Sequence, residues 1–226
     1  MEIGSLYKNM GIRGTYQVSR ESIECAKNFK HLGRPRESKA VRDLIGELNL
    51  LELRDQTQQK IFAIDTGSRY SGYCHFQIAR DGIQPYLLIS HGVVENSDLI
   101  KLLVQHRNSA IVMENFQSMG MAVGKTVFES CIWLGRFVET ARRSNKDRPV
   151  FFMHRTTAKL EICGQSRAKD SNVRQAIIDI FTGVEDGGKV PQIGTKKNQG
   201  PLYGVKSHVW SALAVGISLD KLMSIY

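Results

Sequence analysis

The chain has 226 residues, 42% of them hydrophobic and 23% charged, with a formal net charge of +9 at pH 7. This is the composition of a globular chain with room for one good core and a small appendage. No apolar run approaches the length of a bilayer span, which excludes a membrane-spanning protein from the expectations. The excess positive charge favours polyanionic partners such as nucleic acid, with a solvated basic surface as the plainer alternative, and carries no information about fold.

Taken in chain order, "MEIGSLYKNMGIRG" lacks the apolar stretch of a secretory signal. Cys25, Cys74, Cys131 and Cys163 show no C-x-x-C spacing, which argues against a structural zinc site and for an intracellular, reducing compartment, cytoplasm or nucleoid. Residues 1–59 read as an N-terminal helical arm. "SRESIECAKNFK" is a helix start with Ser19 or Ser22 as cap, "GRPRES" is a breaker, and Val41, Leu44, Ile45, Leu48 and Leu51 follow at helical spacing. The arm is either a packing or dimer element or, through Arg34, Arg36, Lys39 and Arg42, a grip on DNA.

Residues 60–226 read as one α/β domain. "KIFAID", "YCHFQIA" and "YLLISHGVV" are three strands joined by the short turns "TGSRYSG" and "DGIQP", an antiparallel meander. Gly67 and Gly72 are expected to supply backbone conformations that other residues resist. "NSDLIKLLVQHR" is helical with Asn96 or Ser97 as cap, "SAIVMENF" is a strand, "VGKTVFESCIWLGRFVETARR" a long helix and "RPVFFMHRT" a further strand. "AKDSNVRQAIIDIFTG" is helical, stopped by Gly183, and a breaker-rich loop leads to the last helix, "VKSHVWSALAVGISLDKLM". This order implies a mixed sheet covered by helices.

In such a sheet, function collects where adjacent strands end beside one another. Asp65 ends the first strand and Glu114 the fourth. If the two strands are neighbours, the carboxylates repel unless a divalent cation sits between them, and hard oxygen ligands select Mg²⁺ or Mn²⁺. His208 is placed on the first turn of the last helix, whose small residues Ser211, Ala212, Ala214 and Gly216 let it lie close on the sheet. Its imidazole then faces the pair, to bind a metal or take a proton from a metal-bound water. Asp170 reads either as a further ligand or as the N-cap of its helix.

The stretches "FAIDTGSRYSGYCHF", "IVMENF", "AKDSNVRQAI" and "YGVKSHVWSALAVG" resemble the motifs of RuvC-type Holliday-junction resolvases, particularly the phage-encoded branch, in order and spacing over residues 60–225. The resemblance implies an RNase H-like fold, a five-stranded mixed sheet flanked by helices whose first three strands are antiparallel. It implies a homodimeric, metal-dependent endonuclease that resolves four-way DNA junctions and leaves 5′-phosphate ends. Asp65, Glu114 and His208 match the family's ligand positions, while Ser211 stands where many relatives carry a further Asp, which turns attention to Asp170. Lys159 and Lys169 match basic residues near the scissile phosphate. Two Mg²⁺ ions per site are expected, one activating water and one stabilising the leaving oxygen. The expected DNA contacts are Arg69, Lys125, Arg167, Lys196, Lys197 and Lys206. Phe116 and Met119, in "NFQSMGMAVGK", either wedge into the junction or cover the core. Phe128, Ile132, Trp133 and Phe137 exceed what one helix face needs, so part of that helix is expected to form the dimer interface. The alternatives are a nuclease for flaps or forks and a junction-binding protein with weakened catalysis. A sugar-kinase-like ATPase needs a second glycine hairpin that the C-terminal half lacks.

Overall fold

The computed structural model describes residues 60–79, 85–117, 120, 122–144, 149–181 and 192–224. The arm helices expected in residues 1–59, Met119 and the Gly183 stop lie outside the described residues. The elements are β1 (Lys60–Asp65), β2 (Tyr70–Ile78), β3 (Tyr86–Glu95), α1 (Asn96–Gln105), β4 (Ala110–Asn115), α2 (Lys125–Ser144), β5 (Val150–His154), α3 (Arg155–Cys163), α4 (Asp170–Ile180) and α5 (Val209–Ser224).

The sheet has five strands in the order β3-β2-β1-β4-β5. β1–β2 and β2–β3 pair antiparallel, whereas β1–β4 and β4–β5 pair parallel. The three parallel strands are buried on both faces, and period-two alternation divides their side chains. Ile61, Ala63, Ala110, Val112, Phe151 and Met153 join the core under α3, α4 and α5. Phe62, Ile64, Ile111, Met113 and Val150 join the core under α1 and α2.

Every residue of α5 from Ala212 to Asp220 is buried, as expected of a helix that is apolar nearly all round. A Cβ on Gly216 would stand 2.6 Å from the Phe76 ring and 3.0 Å from Ala63 Cβ, so the small-residue stripe does let α5 lie against β1 and β2. In α2, Phe137 is fully buried and Trp133 packs on the same core, which leaves Phe128 (58% exposed) and Ile132 (60%) as the outward apolar residues.

Four local expectations are corrected. Gly67 and Gly72 do not have positive φ; their constraint is close approach, since a Cβ on Gly67 would meet Tyr70 O at 2.1 Å. Asn96 is not the cap of α1, which starts after Glu95 with no side-chain cap bond. Its amide instead donates to Gly67 O at 3.0 Å and its Oδ1 accepts from Ser71 Oγ at 2.6 Å, tying down the turn that follows Asp65. Asp170 is likewise not a cap, because α4 starts one residue earlier than a cap there would need, at Asp170 itself, with Lys169 in the cap place. Finally, α3 follows β5 without a connecting loop and ends at Gly164 in the left-handed region, a helix absent from the sequence expectations.

Candidate active site

β1, β4 and β5 are parallel, so their C-terminal ends share one edge of the sheet. Ile64 pairs with Met113, which brings Asp65 beside Glu114 one step further on, and Glu114 pairs with Met153. The alternation that sends Ala63 and Val112 under α5 sends Asp65 and Glu114 to the same face. Both carboxylates are largely buried, with side chains 11% and 14% exposed. The Glu114 pKa is pushed up to about 7, first by burial, then by the charge of Asp65, with Arg155 pulling the other way. Burial and the charge of Asp65 thus favour the protonated form of Glu114, and a cation bound at the two carboxylates would relieve the same repulsion.

His208 lies one residue before α5, in a turn rather than in the helix, and its carbonyl accepts the Ala212 N–H at 3.1 Å. Its Nδ1 is 2.8 Å from Asp65 Oδ2. That hydrogen bond raises the imidazole pKa, with burial acting against it. Two features hold the ring there. Ser207 has φ 50, a left-handed backbone that a non-glycine residue adopts only under tertiary constraint. Gly72, paired with Asp65 across β1–β2, leaves no room for a Cβ, which would stand 2.6 Å from the His208 carbonyl carbon.

The third strand end supplies a residue that the sequence reading passed over. Arg155 follows β5 directly and is the next position on the face of Phe151 and Met153. Its Nη1 lies 3.5 Å from Glu114 Oε1 and donates to Ser211 Oγ at 3.3 Å, while Nη2 donates to Asp170 Oδ2 at 2.8 Å. Lys159 donates to Asp170 Oδ1 at 3.0 Å and to Ala168 O at 2.7 Å. The Asp170 pKa is lowered chiefly by the hydrogen bond from Lys159, with Arg155 adding to it. Glu114, Arg155, Lys159, Asp170, Trp210 and Ser211 line a cleft of about 290 Å³.

Asp65, Glu114 and His208 therefore converge, and Asp170 and Lys159 join them through Arg155. Lys169 stands exposed at the start of α4 and does not line the cleft. Arg69 pairs with Glu95 at 3.2 Å and lies over the Tyr70 ring. Lys125 pairs with Glu129 at 3.6 Å. Arg167, Lys196, Lys197 and Lys206 are exposed. Phe116 packs against the α1–α2 core, the covering role of the two expected for it.

The donor set suits a hard divalent cation at Asp65 and Glu114, with His208 adjacent. Among the described residues, no three of His, Cys, Asp and Glu already surround one point. The carboxylate of Asp170 is engaged by Arg155 and Lys159 instead.

No protein-family model matches the chain, and no curated protein matches it in sequence. Solved structures do. RuvC of Thermus thermophilus superposes with a TM-score of 0.53 at 17% identity, covering 71% of this chain and 92% of that one. T. thermophilus RuvC in complex with a Holliday junction substrate gives 0.52 at 16% identity, covering 74% and 97%. The fold is RuvC-like. The expected RNase H-type architecture, a five-stranded mixed sheet with an antiparallel opening and helices on both faces, is the one observed.

Proposed function

We propose that the protein is a metal-dependent endonuclease that resolves four-way DNA junctions, leaving 5′-phosphate and 3′-hydroxyl ends. The observation that carries this reading is the pair Asp65–Glu114 at adjacent strand ends, with Glu114 holding its proton up to about pH 7, within a RuvC-like fold. Residues 60–226 form the nuclease domain in this reading, and residues 1–59 an arm of separate role.

Asp65 and Glu114 hold Mg²⁺, which Mn²⁺ replaces. The bound cation supplies a water of lowered pKa and a counter-charge for the phosphoryl oxygens. Asp65 also orients His208 through Nδ1, which leaves Nε2 on a half-exposed side chain to accept a proton from the attacking water or return one to the leaving 3′-oxygen. Lys159 in the cleft faces the backbone of the cut strand with positive charge, and Lys169, exposed outside the cleft, joins Arg69, Lys125, Arg167, Lys196, Lys197 and Lys206 in meeting more distant phosphates. A net charge of +9 suits such a partner. A second copy of the chain covers Phe128 and Ile132 of α2, which gives the two cuts their symmetry. The site of action is inside the cell, where branched DNA is found.

The experiment is direct. Purified full-length protein is incubated with an immobile synthetic four-way junction, a Y-fork, a flap and a plain duplex, each with and without Mg²⁺, and cuts are mapped. Paired cuts in the junction that vanish with a chelator are expected. Cuts that persist under chelation overturn the metal scheme. Preferential cutting of forks or flaps moves the substrate, and binding without any cutting leaves a junction-binding protein.

A further inference from the structure

Ser211 leaves a gap where the resemblance places a further acidic ligand, and the structure fills that corner with a cation. The Arg155 guanidinium donates to Ser211 Oγ and Asp170 Oδ2 and lies within ion-pair distance of Glu114 Oε1. Asp170 is held on its other oxygen by Lys159. Three carboxylates, Asp65, Glu114 and Asp170, thus share their corner with two fixed positive charges.

We propose that Arg155 is a built-in cation of this site: its guanidinium stands in for one of two metal ions, so each protomer takes a single divalent cation, at Asp65 and Glu114. This rests on the nuclease reading above. The charges support it. With a cation bound, Glu114 ionised and His208 neutral, the three carboxylates with Arg155 and Lys159 carry one net negative charge, and a single divalent ion leaves one positive charge to match one phosphodiester. A second divalent ion would have to approach Glu114 or Asp170 against a guanidinium already at ion-pair distance, and around the largely buried Glu114 that repulsion is weakly screened. Asp170 is then the anchor of Arg155 and not a metal ligand. A guanidinium offers five N–H donors, and those not used by Glu114, Ser211 and Asp170 remain for a phosphate oxygen in the cleft, the bidentate geometry at which arginine excels. Arg155 is thus a positioning residue for Glu114 and a counter-charge for the cut strand.

The test counts ions. Full-length wild type, Arg155→Lys and Arg155→Ala are titrated with Mn²⁺, and free Mn²⁺ is measured by electron paramagnetic resonance. The order of junction cleavage in Mg²⁺ concentration is measured in parallel. One ion per protomer and first-order dependence are expected for wild type and Arg155→Lys. Arg155→Ala is expected to gain a second, weaker ion, to lose about 10²-fold in cleavage at low Mg²⁺, and to recover at high Mg²⁺. Such metal rescue does not follow from a merely structural role. Two ions on the wild type, or an unchanged count in Arg155→Ala, overturn the proposal while leaving metal-dependent cleavage intact. No ion on the wild type overturns this proposal and the nuclease reading with it. If Arg155→Ala fails to fold, the wild-type count decides.

Discussion

β1 and β2 carry two histidine environments within a few residues of each other. At one end Gly72 faces Asp65 and makes room for His208; further along, His75 faces Phe62. His208 is half-exposed, touches a carboxylate and has its pKa raised. His75 is buried between Phe62 and His106, with ring centroids 5.9 Å and 4.2 Å away, and bonds Ser109 Oγ at 3.0 Å. Its pKa is lowered to about 4, by burial first, then by His106 and Lys60. The surroundings of this strand pair thus favour the protonated form of one imidazole and the neutral form of the other. The difference is the neighbour: a carboxylate at the strand ends, aromatic rings in the strand centre.

The largest expected effect lies at the charged end. Asp65→Asn and Glu114→Gln remove carboxylates that supply no attraction to DNA. Cleavage should fall by at least about 10³-fold, or ~4 kcal/mol of transition-state stabilisation, while junction affinity in a mobility-shift assay holds or rises. Retained cutting in either variant would falsify the assignment. Next comes His208→Ala, with a loss of about 10²-fold in cleavage rate. His75→Gln, the matched control, should stay within about twofold at pH 7, since losses confined to packing change stability and not chemistry. Equal losses in the two variants would erase the contrast between the two histidines.

Much of the charged end is legible in the sequence because strand ends are. "KIFAID" and "IVMEN" each finish a short apolar run with an acid, and parallel pairing of β1 and β4 is all that is needed to join them. His208 is legible through Gly216 and its neighbours, which fix how closely α5 can lie. Arg155 is not, because an arginine after a strand looks like a solvated surface charge. Its signal was the period-two row of Phe151 and Met153, which puts position 155 on the face of Glu114. The helix α3 escaped for a related reason: no breaker separates it from β5, and its start, "RTTAK", is poor in apolar periodicity. Only Gly164, with its positive φ, marks the end. Asn96 misled because its side chain serves a turn 29 residues earlier, at Gly67, a tertiary bond that no local cap rule contains.

A smaller effect separates the glycines. Gly72→Ala puts a methyl group 2.6 Å from the backbone of His208. The start of α5 has to move, costing about 2 kcal/mol of stability and loosening the Asp65–His208 bond, so cleavage should drop towards the His208→Ala level. Gly135 on exposed α2 has open space around it, and Gly135→Ala should raise stability by about 0.5–1 kcal/mol. Urea midpoints of the two variants should therefore move in opposite directions. A neutral Gly72→Ala would mean that the approach of His208 to β2 is not what holds the ring.

The smallest effect belongs to the neutral histidine. An unfolded His75 takes up its proton near the ordinary value of 6.5, the folded one only near 4. Between these values the unfolded chain binds more protons, so the stability His75 contributes is complete above pH 6.5 and is lost as pH falls towards 4. Allowing for solvent screening, that loss is about 2 kcal/mol. His106, lowered by burial and by Lys60, titrates in the same sense. His75→Gln removes the first part and keeps the second. Stability from urea unfolding at pH 7 and pH 4.5 should then fall less in the variant than in wild type, with metal chelated in both so that Glu114 responds equally. An identical acid loss in the two proteins would show that the His75–His106 contact is not the acid-sensitive element, and that the buried imidazole keeps its proton affinity despite the rings around it.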